Sequence, residues 1–405
     1  MTKIETQSRC APANVPQDRI VEFDLYAPPG GDFDPFKPWF DLRDSTKEKI
    51  VWSPENGGHW IVLDGSRIAE MIADSDLLSS RKLTVPPEIA DRAQLIPNQV
   101  DPPAHKMYRS AIAREFSAKY LAGLRSPISE IATSLVQMFR DKGRCDFIAQ
   151  FSEILPIHVF LHFVGLPKED APMLRQIGSS VSRPDGSMTP QQFFDAIDDY
   201  LDPYVRERLA QPGEDLFSRI LANPLDGREW TLDEAKRTCR NLMLAGLDSV
   251  SAVLGYATLF LARNPGHQEQ IRANPSIIPA AADELIRRYA VVILTRQANR
   301  DFEFDGVTVR KDDLLLLPTP LHNLDSSVFE CPEEVRFDRA MAPNSTFGGG
   351  IHRCVGSGVA RLELMIFLEL WHQAIPTYRI DPADRVEQKA GSIATVTRLP
   401  LVWDV

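Results

Sequence analysis

Apolar and polar positions repeat with different periods along this chain, and the period changes from strand-like to helical and back. Strand-like runs at residues 50–53 and 60–63, separated by turn residues, predict a β-hairpin. From residue 102 to about 274 the apolar positions recur at helical spacing. Strand-like runs return at residues 302–309, around an Asp-Gly turn, and at 313–317. The pattern predicts a mainly helical fold with a small β region.

One predicted helix is unusually long. Thr231-Leu-Asp-Glu234 forms a capping box, and no proline follows until Pro265. At 1.5 Å per residue a helix of about 33 residues would be about 50 Å long. Its centre, residues 245–249, reads Ala-Gly-Leu-Asp-Ser and has low helix propensity where a helix should be most regular. A local rule broken at the centre of an element indicates a functional site.

The last third of the chain alternates helices with an irregular segment. A helix is expected from about Pro279, with Glu284 and Arg287 one turn apart on one face. Residues 321–344 show neither period, and such long loops are usually functional or packed against a cofactor. A final helix is expected from about Gly356 to His372.

Composition restricts the class of protein. The 405 residues show no internal repeat and no linker, so we expect one domain over residues 1–405. A net charge of −11 argues against nucleic-acid binding. The five cysteines lack CxxC spacing, the first twenty residues are polar, and no apolar run of membrane-spanning length is apparent, so we expect a cytoplasmic protein without a membrane segment.

The most specific motif is a glycine-rich loop that leads a cysteine to the start of a helix. It reads Phe347-Gly-Gly-Gly350-Ile-His352-Arg-Cys354-Val-Gly356. Free amide groups at a helix N-terminus stabilise a thiolate, and glycines let the backbone approach the sulfur and a flat ligand. A lone cysteine in such a loop is, however, more often a small buried residue.

The whole pattern resembles the haem-binding signature of the cytochrome P450 superfamily, F-x-x-G-x-[HR]-x-C-x-G, at every defining position. The resemblance implies a helical prism in which haem b lies between the long helix and the cysteine loop. It makes Cys354 the axial ligand of the iron. Phe347, Gly350 and Gly356 would be the loop residues next to the haem.

Further motifs fit the same resemblance. Glu284 and Arg287, an ordinary surface pair if taken alone, would join Arg339 of the segment Phe337-Asp-Arg339 in a buried structural triad. Four residues resemble the family's contacts to the haem propionates, a charge-assisted clamp on two carboxylates: His105, Arg109, Arg296 and His352.

The centre of the long helix resembles the family's oxygen-activating motif. Asp248 would feed protons through water, Ser249 would hydrogen-bond the reacting oxygen, and Gly246 would leave room for dioxygen. The alternative is a serine bonded back to its own helix and a solvated aspartate. Serine replaces the usual threonine and lacks the methyl group that restricts rotamers, so less efficient coupling of electrons to product is expected.

Within the superfamily the chain resembles the bacterial camphor-hydroxylase group, through residues 96–97, 101–103, 283–288 and 399–403. This resemblance implies a monooxygenase for a small hydrophobic terpenoid or norisoprenoid. Electrons would come from a separate [2Fe-2S] ferredoxin and its flavin-dependent reductase, and the family default is a monomer. The expected ferredoxin face comprises Lys106, Arg109, Arg353 and Arg361. The expected substrate pocket comprises Ala93, Leu95, Asn241, Leu244, Val292 and Ile393.

Two rival functions remain open at this point. A haem-thiolate peroxygenase would use hydrogen peroxide directly, and it should lack the acid–alcohol pair at Asp248 and Ser249. A haem-based ligand sensor would perform no turnover. Residues 83–96 and 180–190 are the segments expected to open for substrate, because their composition favours mobile loops.

Overall fold

The structure is a computed structural model that describes residues 10–182 and 188–405, so the expected access segment at 180–190 lies partly outside the described residues. The described residues are mainly helical, which confirms the predicted fold class. The α-helices are α1 (Lys37–Asp44), α2 (Gly65–Ala73), α3 (Glu88–Ala93), α4 (His105–Ala113), α5 (Ala118–Gln137), α6 (Ile154–Val164), α7 (Ala171–Ser182), α8 (Pro190–Ala210), α9 (Leu216–Ala222), α10 (Leu232–Leu247), α11 (Ser249–Arg263), α12 (Pro265–Ala273), α13 (Ile278–Arg288), α14 (Thr319–Asn323) and α15 (Ser357–Ala374).

The strands form one larger sheet and three small ones. They are β1 (Ile50–Ser53), β2 (His59–Val62), β3 (Leu78–Ser79), β4 (Arg144–Asp146), β5 (Ile293–Ala298), β6 (Phe302–Phe304), β7 (Val307–Val309), β8 (Leu314–Pro318), β9 (Tyr378–Ile380), β10 (Glu387–Lys389), β11 (Thr395–Arg398) and β12 (Pro400–Trp403). The larger sheet has the order β1-β2-β8-β5-β3, and the small sheets are β4-β12-β9, β10-β11 and β6-β7. β2 and β8 pair in parallel, whereas the other neighbours are antiparallel.

Both predicted hairpins form. β1 pairs with β2 in the register Ile50↔Val62 to Ser53↔His59, and all eight residues are buried. β6 and β7 are joined by Asp305 and Gly306 with φ of 51° and 77°. Positive φ at both central residues is the type I′ geometry that matches strand twist, which is why Asp-Gly predicts it.

The predicted long helix is two helices with a break at its centre. Thr231 and Glu234 form the reciprocal capping box at the start of α10. Asp248, at φ −127° and ψ −40°, leaves the helical region and separates α10 from α11. By length and composition alone the described residues hold one segment able to cross a membrane, Leu232–Arg263. Sequence inspection missed this segment, and half of its apolar window is buried inside the protein, as in a core helix.

Glu284 of α13 forms the buried triad with two arginines. Its carboxylate accepts hydrogen bonds from Arg287 Nε and Nη2, both at 2.8 Å, and from Arg339 Nε at 2.9 Å. It also accepts the backbone amide of Arg336 at 3.0 Å. Glu284 and Arg287 are fully buried and Arg339 is 8% exposed. The triad therefore ties α13 to the irregular segment that precedes the cysteine loop.

We expect Glu284→Gln to lower the free energy of unfolding by about 3 to 5 kcal/mol, because it leaves two buried guanidinium groups without a charged partner. Asp283→Asn is the matched control, since Asp283 precedes Glu284 on α13 and its carboxylate pairs with the half-exposed Arg361 of α15. That exposed pair should contribute about 0 to 1 kcal/mol. Urea unfolding measures both, and equal losses would contradict the assignment of Glu284 as the buried centre.

Candidate active site

A cavity of about 310 Å³ lies between the junction of α10 and α11 on one side and the cysteine loop with α15 on the other. α4, α6 and β5 contribute further walls. Most of the lining is apolar, with contributions from Ile112, Val159, Phe160, Phe163, Val250, Val253, Val291 and Val292. A few polar groups converge on it, which is the usual composition of a small-molecule site.

Cys354 lies in the wall of this cavity at the start of α15. Its backbone amide donates to the carbonyl of Phe347 at 2.9 Å, which closes the loop. Burial raises the pKa of the thiol, whereas amide groups of Gly356 and Ser357 and the charges of Arg109 and Arg353 act to lower it. A sulfur in this position is thus supplied with donors for a thiolate, and a metal bound to it would keep it deprotonated.

The loop glycines have different roles. Gly348 and Gly356 line the cavity, and a Cβ on Gly356 would lie 3.9 Å from Cys354 Sγ. Gly350 instead packs on α2, where a Cβ would come within 2.7 Å of the Ala73 carbonyl, and its φ is +59°. A side chain is excluded there on both grounds. Gly350 therefore holds the loop against α2, and it is not among the cavity-lining residues of the described chain.

Three basic side chains, Arg109, Arg296 and His352, line the cavity, and His105 packs against His352. The rings of His105 and His352 are 4.4 Å apart, and Nε2 of each has no hydrogen-bond partner among the described residues. Arg296 is buried, and within the described part of the chain its side chain donates to the adjacent Thr295 carbonyl. Arg109 donates to the Arg353 carbonyl at 2.5 Å and also lines the cavity.

Burial lowers the pKa values in this cluster, and for His352 the neighbouring positive charges add to the effect. Burial, together with Arg296, His105 and Arg109, lowers the pKa of His352 to about 3. Burial lowers the pKa of Arg296 to about 10, and Asp101 opposes this. Unpartnered donors and lowered pKa values are the features expected of a site that binds an anionic group.

The break between α10 and α11 lies on the opposite wall. Ala245, Gly246 and Ser249 line the cavity, and Asp248 is half-buried beside them. Ser249 Oγ lies 3.4 Å from the Ala245 carbonyl, which is too long to hold the hydroxyl firmly in its own helix. A Cβ on Gly246 would lie 2.9 Å from the ring of Phe160, so this glycine also allows that ring to pack against α10.

The expected pocket residues separate into two groups. Asn241 and Val292 line the cavity, and Ile393 forms an antiparallel bridge with Val292. Ala93, Leu95 and Leu244 are not part of the lining that the structure describes; Ala93 is buried in a neighbouring core cluster, and Leu95 and Leu244, both half-buried, pack against that cluster. Pro97 and Asn98 line the cavity instead and were not anticipated.

The expected ferredoxin face is also only partly assembled. Arg109 contacts Arg353, and Lys106 and Arg353 are exposed. Arg361 pairs with Asp283 through two hydrogen bonds, so its charge is largely compensated within the chain.

Sequence analysis missed Glu363, a buried acid in the cavity wall. It lies on α15, is 3% exposed, and its Oε2 has no hydrogen-bond partner among the described residues. Burial raises the pKa of its carboxyl to about 8. Glutamate is seldom buried without a partner, so a glutamate in a helix suggests a surface position, and only tertiary packing shows that Glu363 is enclosed.

Comparisons with known proteins agree with this geometry. A family model described as Cytochrome P450 matches residues 187–389. The crystal structure of cytochrome P450 CYP101C1 is 46% identical with a TM-score of 0.91, covering 98% of this chain and all of that one. The structure of CYP101J2 is 34% identical with a TM-score of 0.90, covering 98% and 99%. Pentalenic acid synthase of Streptomyces avermitilis is 28% identical, covering 97% of this chain and 98% of that protein.

We expect Glu363→Gln to remove a pH-dependent loss of stability. The folded carboxyl holds its proton up to about pH 8, whereas the unfolded one releases it near its ordinary value. Stability of the wild type therefore falls as the pH rises through this window, by an amount on the order of a few kcal/mol. Thermal melts from pH 4 to 9 should show the variant gaining on wild type progressively between the ordinary carboxyl pKa and about pH 8, with no further gain above that pH. Parallel curves would contradict a protonated Glu363.

Proposed function

The chain belongs to the cytochrome P450 family, and from this premise we propose that it hydroxylates a small hydrophobic terpenoid or norisoprenoid, using dioxygen and two electrons from a separate ferredoxin. Members of this family are oxidoreductases that carry haem b, and the chain is an enzyme of this kind. The observation that carries the proposal is the placement of Cys354 and of the α10–α11 break on opposite walls of one apolar cavity.

We assign Cys354 Sγ as the axial ligand of the iron, with Phe347 and Gly356 beside it. The two propionates would be bound by His105, Arg109, Arg296 and His352. Nε2 of each histidine has no hydrogen-bond partner among the described residues, and the pKa values of Arg296 and His352 are lowered. When bound, the haem supplies the activation of dioxygen and the oxidising power. The remaining chemistry is assigned to side chains.

Ser249 and Asp248 are the proposed proton donors. The weak contact of Ser249 Oγ with its own helix leaves that hydroxyl able to donate into the cavity. Asp248, at the break, would replace the proton from solvent through water. Gly246 would leave room for dioxygen, because it has no side chain at the point where α10 packs against Phe160.

The cavity lining supports a small hydrophobic substrate. Its walls are mostly apolar, and the amides of Asn98 and Asn241 are among the neutral polar side chains that could orient a carbonyl or hydroxyl group. Val292 and Ile393, joined by their bridge, would bound one side of the substrate. Apolar walls discriminate by only about 1 to 3 kcal/mol per methylene, so related terpenoids should compete as substrates.

For electron supply we propose a [2Fe-2S] ferredoxin reduced by a flavin-dependent reductase. The ferredoxin would dock on a face of this protein that comprises Lys106, Arg109 and Arg353. Arg361 would contribute less to that face, because its charge is compensated by Asp283. We further propose that the protein acts in the cytoplasm as a monomer, with residues 1–405 forming one catalytic domain. A turnover assay with ferredoxin, run beside one with hydrogen peroxide alone, separates this function from a peroxygenase and from a non-catalytic sensor.

The ligand assignment is tested by the spectrum of the dithionite-reduced protein with carbon monoxide. We expect a Soret band at about 450 nm, lost in Cys354→Ala, because thiolate ligation shifts the band far to the red. Cys10→Ser is the control, since Cys10 is an exposed cysteine away from the cavity. A band at about 420 nm in well-folded wild type would show that the iron has another or a protonated ligand.

We expect Ser249→Thr to raise the ratio of product formed to reduced nicotinamide consumed, because the added methyl group restricts the hydroxyl rotamers. Ser249→Ala should lower the ratio and release more hydrogen peroxide. Both quantities are measured during ferredoxin-supported turnover of one terpenoid. An unchanged ratio in both variants would remove Ser249 from the proton path.

A further inference from the structure

Two arginines of α10 bind the C-terminal end of α3. Arg240 Nη2 donates to the Ala93 carbonyl at 2.6 Å, and Arg237 Nε donates to the Gln94 carbonyl at 2.8 Å. These carbonyls end a helix, where peptide oxygens lack helical partners and carry the negative end of the dipole. Gln94, at φ 43°, turns the chain away directly after them. The two contacts are named the α3 clamp.

Arg240 connects the clamp to a third helix. Its Nη1 donates to both carboxylate oxygens of Asp198 on α8, at 2.8 and 2.6 Å. Its guanidinium also lies over the ring of Phe194, 5.6 Å from the centroid. The arginine is 5% exposed, and hydrogen bonds to a buried charge are stronger than neutral ones. One guanidinium group therefore fixes α3, α8 and α10 relative to one another.

Hydrogen bonds of Gln99 connect the clamped end of α3 to the cavity wall. The Gln99 side chain donates to the Ala90 carbonyl at 2.8 Å and accepts the Leu95 amide at 2.7 Å. Its backbone amide donates to the Leu95 carbonyl at 2.8 Å. Pro97 and Asn98, enclosed by this turn, line the cavity. A displacement of the end of α3 must therefore move that part of the wall.

The outer side of the clamp faces a polar crevice that is open to solvent. A polar crevice of about 550 Å³ lies between α3, α8 and α10, lined by Arg92, Asp198, Lys236, Arg237 and Arg240, among others. The Arg237 side chain is 28% exposed. Water can thus replace the Arg237 contact without opening the apolar core, so this half of the clamp can be released at modest cost in free energy.

We propose that the α3 clamp determines the size of the molecules admitted to the cavity. While Arg237 and Arg240 hold Ala93 and Gln94, the wall at Pro97 and Asn98 stays in place and only small molecules pass. Bulky molecules enter when the end of α3 is released. The inference rests on the proposed function only in taking this cavity as the substrate site, and it makes Arg237 and Arg240 positioning residues.

The test compares holoenzyme carrying Arg237→Gln with Lys236→Gln. Lys236 is the matched control, because it lies in the same crevice but pairs with Asp202 of α8 at 2.8 Å, and its side chain forms no hydrogen bond to α3 as the structure describes that helix. Hydrogen exchange of residues 88–99 is followed by mass spectrometry. Binding of imidazole and of the bulkier 4-phenylimidazole to the iron is followed by the Soret shift in a stopped-flow instrument.

We expect Arg237→Gln to speed exchange of residues 88–99 by about tenfold, the loss of one charged hydrogen bond. Binding of 4-phenylimidazole should become about three- to tenfold faster, while imidazole binds at the wild-type rate. Lys236→Gln should match wild type in all three. Arg240→Lys keeps a positive charge beside Asp198 but cannot also reach the Ala93 carbonyl as the forked guanidinium does. Provided that circular dichroism shows a folded protein, this variant should show the same faster exchange and faster 4-phenylimidazole binding as Arg237→Gln.

Exchange in Arg237→Gln no faster than in Lys236→Gln would overturn the clamp. Equal acceleration of both azoles would overturn size selection. Failure of the proposed function is separable, because the exchange measurement does not depend on the identity of the iron ligand. An absent band at about 450 nm with an intact exchange response would overturn the ligand assignment alone.

Discussion

The buried carboxylate of Glu284 organises the half of the molecule that contains the cysteine loop. It is enclosed by Arg287 and Arg339, and each of these arginines also donates to backbone carbonyls. The Arg287 contact to the Asn323 carbonyl is continued by the Asn323 side chain, which accepts the Ser345 amide at 2.7 Å and donates to the Arg287 carbonyl at 3.0 Å. The chain leaves Ser345 directly into the loop at Phe347. The position of the Cys354 sulfur is therefore set by an ion-pair network that does not touch it.

The cavity shows the opposite electrostatic arrangement. Arg296 is buried like Arg287, yet it has a backbone carbonyl and the electrostatic influence of Asp101 in place of a paired carboxylate. His352 is held neutral by the same surroundings. A buried cation that is paired within the chain stabilises the fold, whereas one left without an acid is stabilised only when a ligand supplies the negative charge. This difference separates structural arginines from those that would bind a cofactor.

Features governed by neighbouring residues were predictable from sequence. The capping box at Thr231 and the Asp305-Gly306 turn follow from local hydrogen bonding and backbone preference, and both form as expected. Features governed by packing were not. Glu363 is of a residue type usually found on the surface, yet it lies in the cavity wall, whereas Ala93, expected in the pocket, contributes its carbonyl to the α3 clamp. Alternation and spacing carry no information about which distant helix will cover a position.

The break at Asp248 and the α3 clamp act on the same helix from opposite sides. α10 presents Asn241 and Ala245 to the cavity, and it presents Arg237 and Arg240 outwards to α3 and α8. Because α10 ends at Leu247, the carbonyl groups of its last turn are not part of one continuous helical ladder with α11. In the clamp proposal, Arg237 and Arg240 would couple a movement of α10 to the wall at Pro97 and Asn98. An unbroken helix would pass such a movement on to α11 through its backbone hydrogen bonds, so we infer that the break confines it to the helix that lines the substrate cavity.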